Sequence, residues 1–156
     1  MPPWVESSTV RAMGKEFWLR VHGGSTHFPI VLLFVSVLFD VLGLYWPDRS
    51  ARRGLHFAGF GAAFIGVSFT FVAVASGLLI SNWRTLGTGA LLRHHLFVWP
   101  VFGISIALVV WRLLMRERAS SRAFGIYLIG MFAASVLVFA AGYWGGELAL
   151  AGQVGQ

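Results

Sequence analysis

None of the 156 residues is cysteine. Disulfides, thiolate metal sites, iron–sulfur clusters and covalent c-type haem attachment are therefore excluded for this chain. Any metal ligand must be His, Met, Asp, Glu, Tyr or backbone. Charge is also scarce. Only 12% of residues are Asp, Glu, Lys or Arg, against about 25% in a soluble domain. Hydrophobic residues make up 57%. An integral membrane protein follows, short enough for one compact unit and no separate soluble domain.

The chemistry of hydrolases is missing too. No Ser-His-Asp arrangement can be placed, no phosphate-binding loop is present, and carboxylates are not paired. An enzyme acting on its own is not indicated. The opening Met1-Pro2-Pro3-Trp4-Val5-Glu6 lacks a basic stretch followed by an apolar one, so the spans themselves are expected to direct insertion. The net charge of +6 does not point to nucleic acid. The basic residues sit in short connections between apolar runs, where arginine sets topology and meets anionic lipid.

Four apolar runs are long enough to cross a hydrocarbon core of about 30 Å. They are His27 to Trp46, ended by Pro47-Asp48; Leu55 to Ile80; His94 to Met115; and Ala123 to Trp144, ended by Gly145-Gly146. Backbone groups inside a bilayer must bond internally, so each run is read as a helix. The expected fold is all-α, an integral membrane four-helix bundle with a short N-terminal interfacial helix. Residues 1–26 form that N-terminal segment, 27–146 the bundle, and 147–156 a short tail. Val10, Met13, Phe17 and Val21 recur at helical spacing, and Gly23-Gly24 is expected to break the interfacial helix from the first span.

Arginine placement gives an orientation. The first connection carries Arg49, Arg52 and Arg53, and the third carries Arg112, Arg116, Arg118 and Arg122. These two should face the cytoplasm of a bacterial inner membrane, with both termini periplasmic. Arg11, Lys15 and Arg20 near the N-terminus run against that assignment. Spans one and three then run the same way, so His22, His27, His94 and His95 gather at the periplasmic face, while His56 opens span two at the other.

Histidines on facing helices are the simplest protein grip on haem iron. In that reading His27 and His95 are the first-choice axial ligands, with His94 and His22 as substitutes. Adjacent residues point about 100° apart on a helix, so only one of His94 and His95 faces the axis. Arg93 or Arg84 would pair with haem propionates. The small residues Ala58, Gly59, Gly61, Ala62 and Gly66 of span two would leave room for a flat macrocycle. A second reading places copper or zinc on His22, His27, His94 and His95, with Glu147 adding an oxygen. In a third, the histidines only bond lipid headgroups, carbonyls or one another. Asp40 lies inside span one, and its expected partners are His56 and Arg53; a buried pair that fixes helix packing is preferred over a proton relay. Ala58, Ala62, Gly66 and Thr70 recur every fourth residue, a spacing that lets helices approach closely. Trp46, Trp83, Trp99, Trp111 and Trp144 lie near span ends, as an aromatic belt would.

Several of these residues carry a resemblance. His22-x-x-x-x-His27-Phe28-Pro29-Ile30 followed by Asp40 is similar to the opening of the bacterial predicted-membrane-protein family known as domain of unknown function 2231. Gly66, Ser76-Gly77-Leu78, His94-His95, and the closing Gly142-Tyr143-Trp144-Gly145-Gly146-Glu147-Leu148 with Gly152 and Val154-Gly155 extend the likeness over residues 22–155. The family opening often has proline after the first histidine, where this chain has Gly23. The resemblance implies a four-span protein with recurrent histidines, of a kind suspected of binding haem and serving respiratory electron transfer. The expectation is a small subunit that binds haem b and passes electrons between quinone and a c-type cytochrome or larger membrane complex. The rivals are a non-redox accessory subunit and a periplasm-facing copper or zinc binder.

Overall fold

The computed structural model describes the backbone of residues 3–115 and 120–154 and the side chains of residues 13–115 and 120–151. The described residues form four helices: α1 (Pro3–Tyr45), α2 (Arg49–Ile80), α3 (Gly89–Met115) and α4 (Ser121–Val154). All four contain segments long and apolar enough to cross a membrane. The expected all-α four-helix bundle is what forms. The helices run further than the apolar runs that announce them. α2 begins six residues before Leu55, at Arg49, and α4 passes through Gly145-Gly146 to Val154.

The N-terminal break is a correction. α1 is continuous through Gly23-Gly24 and spans 43 residues. At 1.5 Å per residue it is roughly 65 Å long, well beyond one hydrocarbon core. Each glycine costs a helix about 1 kcal/mol, but helix packing outweighs that here. His22 is half-buried and Ser25 is buried, so this turn is held against its neighbours while the glycines face outward. Nothing lies within 4 Å of where a Cβ on either glycine would sit. The side chains of Val10 and Arg11, and all of Arg116 and Arg118, lie outside the described residues.

The connections have clear local causes. Pro47 cannot continue α1, and Asp48 then caps α2 by accepting the Ala51 N–H at 2.7 Å. α2 ends at a turn in which Asn82 takes a left-handed conformation, φ 52°, a common role for asparagine just past a helix.

α1 pairs with α2, and α3 with α4, as two antiparallel hairpins that pack less closely on each other. α1 and α3 sit on one diagonal of the bundle and α2 and α4 on the other. The core comprises Leu33, Ala63, Val67, Val101, Leu108, Tyr127, Met131, Ala134 and Val138. Ser36, Thr70, Ser76, Ser105 and Ser135 are buried among them. Thr70, Ser76 and Ser135 donate to the carbonyl four residues back, which satisfies a hydroxyl without a partner helix. Large apolar side chains such as Phe57, Phe64, Phe71, Ile129 and Phe139 face outward, as contact with lipid requires.

The small face of α2 meets α1. A Cβ on Gly59 would come within 3.1 Å of the Ser36 carbonyl, and one on Gly66 within 3.2 Å of Leu32. Close helix approach is therefore the use of these residues. At Gly59 and Gly66 the expected clearance for a macrocycle is instead filled by α1.

The two hairpins match each other position by position. Eighteen residues separate His22 from Asp40 on α1, and eighteen separate His94 from Arg112 on α3. Seventeen separate His56 from Ala73 on α2, and seventeen separate Phe124 from Ala141 on α4. Gly59, Ala63, Gly66, Val67, Thr70 and Ala73 are buried on α2; at the same spacing Tyr127, Met131, Ala134, Ser135, Val138 and Ala141 are buried on α4. Parallel repeats about an axis along the membrane normal are a known plan of membrane bundles.

Candidate functional site

Eighteen residues are five full helical turns. His22 therefore shares the inward face of α1 with Asp40, and His94 shares that of α3 with Arg112. The two faces meet on the diagonal and produce one polar cluster at each end of the bundle.

At the first end, His22 Nδ1–H donates to the Ala73 carbonyl of α2 at 2.8 Å, with Ser76 Oγ a second, longer acceptor at 3.3 Å. His94 Nδ1–H donates to the Ala141 carbonyl of α4, also at 2.8 Å. A carbonyl can only accept, so both Nδ1 atoms carry a proton, and in the neutral rings both Nε2 atoms hold a lone pair. Each ring lies against a glycine one turn beyond its carbonyl partner. His22 Cε1 is 3.1 Å from a Cβ built on Gly77, and His94 Cε1 is 3.3 Å from one on Gly145. The ring centroids of His22 and His94 are 6.4 Å apart, with the planes at 77°. His95 is buried beside them, its ring 5.7 Å from that of His94, and its Nδ1 has no partner.

Other candidate residues stand apart. His27 is exposed and points away from the cluster. It lies thirteen residues before Asp40, roughly 140° around the helix from the inward face. Glu147 and Arg84 are exposed. Arg93 is exposed too, with its guanidinium 4.3 Å above the Trp144 ring. Among the described residues, no three His, Asp or Glu side chains form a set able to hold a metal ion.

The opposite end holds a buried ion pair. Asp40 is fully buried, and its Oδ1 accepts from His56 Nδ1 at 2.8 Å and from an Arg112 terminal nitrogen at 3.0 Å. The expected Asp40–His56 pair is thus formed, but Arg53 is exposed and the arginine is Arg112. Arg112 also stacks on α4, 4.6 Å from the Phe124 ring centroid and 4.9 Å from that of Tyr127. Sequence reading placed Arg112 in a loop as a topology signal and overlooked it as a partner. The matched spacing from His22 to Asp40 and from His94 to Arg112 is the signal that finds it.

Two imidazoles gripping one metal from opposite sides, each nitrogen about 2 Å away, have ring centroids roughly 6 Å apart. His22 and His94 meet that spacing and offer unprotonated Nε2 atoms, so the donor set fits axial ligation of haem iron. It does not fit a three- or four-nitrogen site drawn from His22, His27, His94 and His95, because His27 lies elsewhere and no three metal-ligating side chains gather among the described residues.

Fold and site together define a four-span, all-helical membrane protein with a histidine cluster at one end and a buried Asp–His–Arg network at the other. The chain belongs to the family described as Predicted membrane protein (DUF2231), whose model matches residues 19–156. No curated protein and no solved structure matches it.

Proposed function

We propose that this membrane protein binds one b-type haem with His22 and His94 as axial ligands and works as an electron-transferring subunit. One observation carries the reading. Each of the two histidines is fixed by an Nδ1–H bond to a backbone carbonyl of its hairpin partner, which in the neutral ring leaves Nε2 unprotonated, and the two ring centroids lie 6.4 Å apart. Ligand histidines are commonly held this way, because the second bond sets both the tautomer and the ring's aim. Bound haem supplies one-electron iron chemistry. This chain's residues orient the ligands and exclude water. Arginine placement supports a histidine end at the periplasmic face of a bacterial inner membrane, where a c-type cytochrome or larger complex would exchange electrons and quinone would be drawn from the bilayer.

The test is spectroscopic. Protein from haem-sufficient cells is purified in mild detergent, and reduced-minus-oxidised and pyridine haemochrome spectra are recorded. One b-haem per chain is expected. A folded, colourless protein would overturn the proposal and leave the histidines as interhelical clamps of an accessory subunit.

A further inference from the structure

Two buried polar atoms of the Asp40–Arg112 pair itself, Asp40 Oδ2 and Arg112 Nη1, have no hydrogen-bond partner, and neither do two hydroxyl oxygens near it, those of Ser36 and Tyr127. Their elements converge. Ser36 and Asp40 are one turn apart on α1. Arg112 comes from α3 and stacks on Tyr127 from α4. Tyr127 lies beside Ser36 and within electrostatic reach of Asp40 and Arg112. An unpaired buried polar atom is costly, and several together in one bundle point to a shared partner. The set offers a carboxylate acceptor, a guanidinium donor and two hydroxyls. A water needs two to four such partners.

α2 links this cluster to the outside. The His56 side chain is 25% exposed and donates through Nδ1 to the fully buried Asp40. Its ring is wedged between Gly43, where a Cβ would come within 2.8 Å, and Phe124, at 5.1 Å edge to face. Among the described residues, the ionisable groups facing Asp40 are His56 of α2, Arg112 of α3 and Tyr127 of α4.

We infer that Ser36, Asp40, Arg112 and Tyr127 close around a bound water, and that Asp40 and His56 form a proton-exchange site at the arginine-bearing end of the bundle. A proton arriving from solvent binds His56 Nε2, and the Nδ1 proton passes to Asp40 Oδ1. The imidazole ends neutral, the carboxylate becomes a carboxylic acid, and the site gains one positive charge. The reverse steps return the proton. Arg112 stays charged throughout and holds Oδ1 in place. This site does not depend on haem.

Infrared difference spectra of the protein in lipid nanodiscs, perfused between mildly acidic and mildly alkaline buffer, test it. Wild type should show a buried carboxylic-acid band that forms on the acid side and shifts in heavy water. Asp40→Asn should lose that band. His56→Gln, which keeps a hydrogen-bonding side chain at the position, should retain it but slow its hydrogen–deuterium exchange by roughly tenfold or more. Absence of the band in wild type, its survival in Asp40→Asn, or unchanged exchange in His56→Gln would each overturn the inference.

Discussion

His22 and His94 occupy the same place in their two hairpins: each donates from Nδ1 to an alanine carbonyl of the next helix, and their ring centroids lie 6.4 Å apart with the planes at 77°. Neither hairpin alone contains the pair. The equivalence also sorts the five histidines by role, which their positions along the chain do not.

Removing either member should abolish haem binding, whereas removing a histidine outside the pair should not. His22→Ala and His94→Ala are expected to purify colourless. His27→Ala and His56→Ala are expected to keep one haem per chain by pyridine haemochrome. Equal haem in all four variants would remove His22 and His94 from the assignment.

Gly77 and Gly145 should matter for the same reason. A leucine at either position would drive its side chain into the adjacent imidazole ring and turn it off its carbonyl partner. Gly77→Leu and Gly145→Leu should each weaken haem affinity by roughly tenfold or more while the helical content holds. Titration of the haem-free protein, alongside circular dichroism, measures both.

Breaking the Asp40–Arg112 pair from one side should be worse than removing it. Arg112→Leu leaves a buried carboxylate with only His56 for support, a loss on the order of 3–5 kcal/mol. Asp40→Leu combined with Arg112→Leu should recover much of that, because no unpaired charge is then left buried. Thermal unfolding of the detergent-solubilised variants gives the ranking; a double variant less stable than Arg112→Leu would refute it.

The α1–α2 contact should be sensitive at Gly59 and insensitive at Gly61. A Cβ on Gly59 meets the Asp40 carboxyl carbon and the Ser36 carbonyl, both at 3.1 Å, whereas one on Gly61 meets nothing within 4 Å. Gly59→Ala should destabilise by about 1–3 kcal/mol. Gly61→Ala should be neutral or stabilising by up to about 1 kcal/mol.

Much of the fold was legible because the bilayer leaves few choices. Apolar length gave four helices, and Pro47 and Asp48 marked one boundary correctly. Glycine was misleading as a stop signal. Gly23-Gly24 and Gly145-Gly146 read as breaks, yet side chains on the same turns pack inward and carry the helix through. At the site, the inward face of α1 decides which histidine joins the cluster. Ser25, Leu33, Ser36 and Asp40 define that face, and His22 lies on it, whereas His27 does not. Arg112 was missed because an arginine near a span end so often sets topology that its five-turn register with His94 went unread.

The duplicated arrangement has a consequence for biogenesis. The chain is made from the N-terminus, so α1 and α2 emerge first with His22 already hydrogen-bonded to its neighbour and nothing facing it. The opposing ring exists only after α3 and α4 have inserted and the second hairpin has docked. Anything gripped between the two rings must therefore be acquired after translation of the last helix, and its capture reports that both halves have been correctly joined.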